Sequence, residues 1–340
     1  MTDPDAIADT LAPEVQTMLV GHQTVRSALR AQLAAGRLPG AVLLHGPQGI
    51  GKATLAFTLA RDILTATGDE DAHRVDEQVA AGAHPNLAVL RRRPRDGKGF
   101  YTVIRVEDVR ELRNELHMTR GRAGHRVAIV DPIDDCNPNA ANALLKTLEE
   151  PPPETTFLLV SHRPGQLLPT IHSRCHSLAL RALGDADVSA VLTAQRADAG
   201  GDEIARAVGL ARGRPRRGFE ALALSPESVL GGLQTWLRAP LQHPSASHLA
   251  LADAIGADRD GPDLSFAREL LNDWLAEEAR AAAISGERMR LASAGELWEK
   301  ADALFAETDA LNLDMRQTLV TIFDAIRKHV QTTSSPATQQ

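Results

Sequence analysis

The stretch Leu43–Thr54, LLHGPQGIGKAT, decides the fold that this sequence predicts. The apolar run at 41–44 predicts a short buried strand, a glycine-rich loop follows it, and Lys52 opens a segment with helical periodicity at 53–64. Strand, glycine loop, lysine and helix are the parts of a phosphate-binding loop, in which backbone N–H groups, the helix N-terminus and the lysine converge on an anion. The predicted nucleotide-binding residues are Gly46, Gly49, Gly51, Lys52, Ala53 and Thr54.

The loop departs from the usual pattern at the residue that binds the metal. A serine or threonine normally follows the lysine and gives its hydroxyl to Mg²⁺, but Ala53 stands there in this chain. Thr54 lies one residue later, which rotates its side chain by roughly 100° around the helix. The sequence therefore predicts weak binding of ATP or ADP and a poor site for Mg²⁺. The alternative is a glycine-rich turn that binds no ligand.

The overall composition excludes several classes of protein. A length of 340 residues predicts two or three domains, and the net charge of −7 argues against a protein that coats nucleic acid by bulk charge. Cys136 and Cys175 form neither a disulfide framework nor a zinc quartet. Because no apolar run reaches membrane-spanning length and the first residues lack a signal-peptide pattern, we expect a cytoplasmic protein without membrane contact.

Strand and helix patterns alternate across 20–181, which predicts an α/β domain: a doubly wound parallel sheet flanked by helices, with a nucleotide site at the carboxyl ends of the strands. Asn137 followed by Pro138 predicts a helix start. Later residues favour helices throughout. The other expected segments are a flexible lead-in at 1–19, a polar surface insertion at 67–82, a hairpin with a return strand at 101–104, a helical lid at 182–224, an all-α domain at 225–330 and a disordered tail at 331–340.

Two further stretches carry a family resemblance. Asn139–Pro152 reads NAANALLKTLEEPP, and Ser173, Arg174 and Cys175 follow a short helical segment. Together with the phosphate loop, they resemble the clamp-loader subunits of bacterial DNA polymerase III, within the AAA+ ATPases. The resemblance implies a RecA-like P-loop domain, a lid and a C-terminal collar that assembles with other subunits. It implies gamma/tau and delta subunits as partners in a hetero-oligomer, and the sliding clamp and primed DNA as partners of the whole complex.

The same resemblance distinguishes two kinds of subunit. Motor subunits carry an Asp-Glu pair where this chain has Asp131 and Pro132, and proline has no carboxylate to polarise water. Asp131 is therefore either a remnant of the metal-site (Walker B) carboxylate or a cap after its strand. Motor subunits also carry four zinc-binding cysteines, but 65–90 contains none, so we expect no zinc. These differences indicate a non-hydrolysing subunit of the DNA polymerase holoenzyme, with little or no catalysis of its own.

Arg174 is the residue to which the resemblance gives a catalytic role. It implies an arginine finger that reaches the ATP of a neighbouring subunit, where an arginine supplied in trans raises the rate on the order of 10³ or more. The alternative is an arginine that ties the sheet edge to a neighbouring carboxylate. Lys52 has two interpretations as well, as a phosphate ligand or as a lysine that caps a carbonyl.

Two basic clusters have open interpretations. The first, predicted on a hairpin at 91–98, faces DNA or an acidic partner, or forms a charged edge that discourages strand pairing. The second is a nucleotide sensor at the start of a helix or a solvated loop. Their members are Arg91, Arg92, Arg93, Arg95 and Lys98 in the first, and Arg214, Arg216 and Arg217 in the second.

Two rival functions remain open at this point. The first is an ATP-hydrolysing gamma/tau-type motor, against which Ala53, Pro132 and the missing cysteines argue. The second is an unrelated phosphate-loop kinase or nucleotide-regulated transcription factor. A kinase needs an acceptor site and a hydroxyl for Mg²⁺, and a transcription factor needs a DNA-reading helix pair; neither pattern is visible in the sequence.

Overall fold

The computed structural model describes residues 6, 7, 9–95, 99–118, 122–223, 228–244, 246–257 and 262–334. The chain divides into two compact units, Met1–Ala223 and Leu224–Gln340, called unit 1 and unit 2 below.

Unit 1 is built on a five-stranded sheet in which every pair of neighbouring strands is parallel. The spatial order is β2-β3-β4-β1-β5, and Ala41 of the first strand pairs with Phe157 of the fourth. The first, third and fourth strands are almost wholly buried because helices cover both faces of the sheet, which explains their continuous apolar sequences. The strands are β1 Ala41–His45, β2 Leu87–Leu90, β3 Arg126–Val130, β4 Thr155–Ser161 and β5 His176–Ala179.

Two helical layers cover the sheet. Val42 and Leu44 pack into a core with α1, α2 and α3, whereas Leu43 packs into a separate core with α4 and α5, because side chains alternate across a strand. The predicted α/β class is confirmed. These helices are α1 Gln23–Ala34, α2 Lys52–Thr67, α3 Ala72–Ala80, α4 Val106–His117, α5 Pro138–Glu149 and the short α6 Pro169–His172; single 3₁₀ turns lie at Ile133–Asp135 and Pro164–Gln166.

Three predictions for unit 1 are wrong. The insertion at 67–82 is not merely surface, since it contains α3, whose Val75 and Val79 are fully buried. The return strand at 101–104 is not a strand; the described residues there make only isolated bridges, one joining Ile104 to Cys136. The hairpin tip at 96–98 lies outside the described residues. The lead-in at 1–19 is not loose throughout, because the side chain of Glu14 is only 2% exposed.

Three more helices complete unit 1 after the last strand. They are α7 Asp185–Gln195, α8 Gly201–Ala211 and α9 Pro215–Leu222. Val188, Leu192 and Phe219 lie in their common core. The packing is close, since a Cβ added to Gly218 would lie 2.8 Å from a methyl carbon of Leu192.

Unit 2 is all helical over its described residues. Its core is centred on Trp236, whose ring lies 5.1 Å from that of Phe323 between centroids. A second cluster joins three helices: Glu278 accepts hydrogen bonds from Arg290 at 2.6 Å and pairs with His329 at 3.1 Å. The helices are α10 Val229–Arg238, α11 Ser247–Gly256, α12 Pro262–Ser285, α13 Arg288–Leu311 and α14 Met315–Ser334.

The last helix runs into the segment predicted as a disordered tail, so that prediction is wrong for 331–334, and 335–340 lie outside the described residues. None of the helices formed by the described residues is both long enough and apolar enough to cross a bilayer.

Candidate nucleotide-binding site

A cavity of about 220 Å³ lies at the carboxyl edge of the sheet in unit 1. The phosphate loop follows β1, and Asp131 and His162 follow β3 and β4, so the three chain segments meet where open α/β sheets bind ligands. The N-terminal segment supplies part of the wall, including Ile7 and Leu11, and α9 supplies Phe219. Of the predicted nucleotide-binding residues, those on the wall are Gly49, Gly51, Lys52, Ala53, Thr54 and Asp131.

The loop backbone adopts a conformation that needs glycine. Gly49 has φ of +81° and Gly51 has φ of +93°, both in the left-handed region that side chains disfavour. A Cβ on Gly49 would lie 2.8 Å from the Cβ of Arg216, whose backbone N–H donates to the Gly49 carbonyl at 3.2 Å. Gly51, the residue before α2, provides no side-chain cap, and the positive end of a helix attracts anions.

Lys52 is buried and points back at the loop that precedes it. Its Nζ donates to the carbonyls of Gly46 at 2.7 Å and Pro47 at 2.5 Å, which is the carbonyl-capping interpretation. Burial lowers the pKa of Lys52 from its ordinary 10.5 to about 8, although Asp134 and Asp131 oppose this shift. The amine is therefore mainly charged at neutral pH, and its role as a phosphate ligand stays a prediction.

A buried arginine holds Asp131. The Nε and Nη2 atoms of Arg91 donate to Oδ2 of Asp131 at 3.0 and 2.9 Å, and its Nη1 donates to Oε2 of Glu14 at 3.2 Å. The Arg91 side chain is only 5% exposed, and its guanidinium carbon lies 5.3 Å from the centroid of the Phe57 ring. We call Glu14, Arg91 and Asp131 the Arg91 bridge. The prediction that places Arg91 on an exposed basic hairpin is wrong.

The neighbouring arginines of that cluster also have acidic partners within the chain. Arg92 pairs with Asp135 at 2.7 Å, and Arg93 pairs with Asp108 at 3.1 Å and with Glu111 at 2.5 Å. These ion pairs balance the charge of both arginines within unit 1. Their contacts therefore give no support to a DNA-facing role. Lys98 lies outside the described residues.

The donor set does not fit Mg²⁺, which prefers six oxygen ligands in octahedral geometry. Ala53 and Pro132 supply no side-chain oxygen, and Asp131 is engaged by Arg91. Asp134 accepts hydrogen bonds from the Ser161 hydroxyl and from the backbone of the residues after β4. Across the ranges described above, no group of three or more His, Cys, Asp and Glu side chains is arranged to hold a metal ion.

One member of the second basic cluster lies at the site, and a second is buried beside it in the same helix. Arg216 lies on the cavity wall with its Nε donating to Glu220 at 3.0 Å, and Arg217 is buried. The structure therefore contradicts the solvated-loop interpretation for these two residues. Contact with a nucleotide stays a prediction.

Arg174 lies elsewhere, after α6, and does not line the cavity of its own chain. Its side chain is 33% exposed, its Nη2 lies 2.6 Å from Oε1 of Glu149, and its Nη1 donates to the Thr170 carbonyl at 3.0 Å. Within one chain, Arg174 therefore makes the tie to a neighbouring carboxylate that the sequence left as an alternative.

Residues 21–184 match the family model described as DNA polymerase III, delta subunit. The match covers a little under half of the chain, so these residues are similar to that family. The chain is 43% identical over 139 residues to DNA polymerase III subunit delta' of Pseudomonas aeruginosa, covering 40% of this chain and 41% of that protein. It is 38% identical over 151 residues to subunit delta' of Escherichia coli K12, covering 43% of this chain and 44% of that protein. The predicted resemblance to the clamp-loader subunits of DNA polymerase III is confirmed, and both of these relatives are delta' subunits.

Other relatives are less similar in sequence. Subunit tau of Escherichia coli K12 is 34% identical over 178 residues, covering 50% of this chain and 26% of that protein. The chain thus spans less than half the length of these relatives. A solved gamma-subunit-related protein of Thermotoga maritima is 16% identical with a TM-score of 0.45, covering 89% of this chain and 99% of that one, a likeness too loose to support an argument about function.

Proposed function

We propose that the chain is a delta-prime-like subunit of a bacterial DNA polymerase III clamp loader. In this proposal it hydrolyses no ATP itself, donates Arg174 to the ATP of a neighbouring motor subunit, and helps to load the sliding clamp on primed DNA during replication. The match of residues 21–184 to the family model supports clamp loading as the process. The relatives named delta' and tau support an assembly of clamp-loader subunits, and the proposal assigns gamma/tau and delta subunits as the partners.

The Arg91 bridge is the observation that carries the non-hydrolysing role. ATP hydrolysis needs a group that orients or deprotonates the attacking water. Asp131 is bound twice by Arg91, and the next residue is Pro132. Asp134 accepts a hydrogen bond from the Ser161 hydroxyl at the end of β4, and Asp135 pairs with Arg92. The carboxylates that follow β3 thus have other partners, so turnover in this cavity is negligible.

Arg174 is suited to act on a neighbouring chain because it lies at the surface. Its tie to Glu149 joins two partly exposed side chains, and such surface pairs are worth about 0–1 kcal/mol. Exchanging that carboxylate for the γ-phosphate of a neighbour's ATP therefore costs little. An arginine supplied in trans stabilises the charge that develops on the transferred phosphoryl group.

The proposed organisation has three parts: a nucleotide-site domain at 20–181, a lid at 182–224 and a collar at 225–330. Unit 2 exposes large apolar side chains, including Ile284, Met289 and Leu311, which contact with other subunits would cover. The proposal includes weak binding of ATP or ADP, no zinc, and a cytoplasmic location, where a replication complex meets DNA.

The test measures ATP hydrolysis by the purified chain alone, and then with motor and delta subunits, clamp and primed DNA. We expect the chain alone to be inert and the assembly to need it. Arg174→Ala should lower turnover at the site it faces by a factor on the order of 10³. Arg110→Ala, which removes an exposed arginine of α4, is the matched control.

Size-exclusion chromatography of each variant in the assembly separates lost catalysis from lost association. Turnover by the isolated chain that disappears with Lys52→Met would identify a motor subunit instead. Undiminished turnover with Arg174→Ala would leave Arg174 as a structural tie to Glu149.

A further inference from the structure

The Arg91 bridge links the N-terminal segment to the edge of the cavity through one buried guanidinium. Glu14 and Asp131 are 2% and 12% exposed at the side chain, so both carboxylates are largely removed from water. Burying a carboxylate without a cation is strongly unfavourable. Arg91 supplies that cation, and the pairing is closed within the chain. Asp131, which follows β3, stands where metal-dependent proteins with a phosphate loop place a separate carboxylate for the metal.

The cavity keeps its anion-binding parts although the metal-binding parts are lost. Its cationic groups are Lys52, the N-terminus of α2, which Gly51 leaves without a side-chain cap, and the neighbouring Arg216. Positive potential at a helix N-terminus attracts phosphate without any metal. In a metal-dependent site, Mg²⁺ both bridges the phosphates and neutralises the nearby carboxylate. Here the second of these tasks is already performed by Arg91.

We propose that this cavity binds a nucleoside di- or triphosphate as the metal-free anion, with Arg91 taking the place of Mg²⁺ as the counter-cation of Asp131. Apolar side chains of the N-terminal segment and α9, among them Ile7, Leu11 and Phe219, form the wall that a base would contact. The inference rests on the phosphate loop of the proposed function but not on Arg174 or on clamp loading. It specifies the form of ligand that the loop takes.

The test is calorimetric titration of the full-length chain with ADP, and with pyrophosphate as a probe of the phosphate positions alone, in excess Mg²⁺ and in EDTA. We expect ADP to bind in EDTA at least as tightly as in Mg²⁺, where affinities that agree within about a factor of two count as equal. Binding that requires Mg²⁺ would overturn the proposal, and so would the absence of ADP binding in both buffers. Because only the isolated chain is used, the result does not depend on whether a clamp loader assembles.

Two variants examine the role of Arg91 itself. Arg91→Met leaves the Asp131 carboxylate without its cation, so ADP affinity in EDTA should fall at least tenfold and Mg²⁺ should then restore part of it. Arg92→Met, which removes a partly exposed neighbour paired with Asp135, should change neither value. A merely structural arginine would lower both affinities equally and create no dependence on Mg²⁺.

If Arg91→Met fails to fold, Asp131→Asn gives the same answer from the other partner. Removing the carboxylate charge should leave ADP affinity in EDTA unchanged or raise it. A fall in the affinity for ADP that appears only with Mg²⁺ present would identify Asp131 as a metal ligand and refute the proposal.

Discussion

Lys52 makes the stability of unit 1 depend on pH in a way that one substitution should remove. Burial lowers the pKa of Lys52 from 10.5 to about 8, so the folded chain releases this proton before the unfolded chain does. Between these two values the unfolded state binds more protons, and stability therefore rises as pH increases. At about 1.4 kcal/mol for each pH unit, the gain reaches about 3 kcal/mol across the interval. Lys52 is 3% exposed, so solvent screens little of this effect.

The variant Lys52→Met keeps an unbranched side chain of similar length but has no proton to lose. We expect the wild-type free energy of unfolding, measured relative to Lys52→Met, to increase by about 3 kcal/mol from pH 8 to pH 10.5. Lys146→Met, which changes an exposed lysine of α5, should show no such trend.

Urea unfolding followed by circular dichroism measures the unfolding of the whole chain, because both units contain helices. All three tryptophans, Trp236, Trp274 and Trp298, belong to unit 2. Their fluorescence therefore reports unit 2 alone and provides an internal control that Lys52→Met should leave unchanged. Parallel pH profiles for wild type and Lys52→Met would refute the reasoning, because they would mean that burial leaves the lysine pKa near its ordinary value.

Two further predictions each concern one position and its neighbour-matched control. Gly49→Ala forces an alanine to φ of +81° with its Cβ 2.8 Å from that of Arg216, so unit 1 should lose about 1–2 kcal/mol by circular dichroism. Gly165→Ala, with no atom within 4 Å of the added Cβ, should be close to neutral, and an equal loss in both would contradict this account. Burial alone would raise the pKa of Glu278, but hydrogen bonds from the arginine and histidine that contact it outweigh burial and lower its pKa. Its stabilisation is therefore present above pH 4.5 and is lost as pH falls below that value. Glu278→Gln should destabilise unit 2 by about 1–3 kcal/mol at neutral pH by tryptophan fluorescence, and should lose that effect in acid, whereas Glu277→Gln on the exposed side of α12 should do neither.

The elements that the sequence predicts well are those whose signals are local. The apolar run of β1 and the glycines after it are contiguous, and the observed strand and loop lie where the pattern puts them. Asn137 accepts the hydrogen bond from Ala140 N–H that an N-cap makes, and Pro138 is the first residue of α5. The capping residue and the proline are adjacent in the sequence, so the start of α5 can be predicted without knowledge of tertiary contacts.

The wrong predictions share one physical cause: contacts with residues distant in the sequence outweigh the local composition. Polar residues dominate 67–82, but Val75 and Val79 are four apart and share one helix face that α2 covers. Arg91 belongs to a run of arginines, a composition that predicts an exposed segment. Its partners, Glu14 and Asp131, lie far away along the chain, so no window of sequence contains the Arg91 bridge.

The strand order has a consequence for the chain as it leaves the ribosome. Among the residues that the structure describes, β1, the strand that bears the phosphate loop, pairs with β4 and β5 and with no other strand. The pairing of Ala41 with Phe157 therefore cannot form until Phe157 has been synthesised. Such non-local pairing slows folding and leaves an apolar strand open to wrong partners in the meantime. β1 is therefore enclosed late in synthesis, and the nascent chain should expose its apolar side chains until β4 emerges.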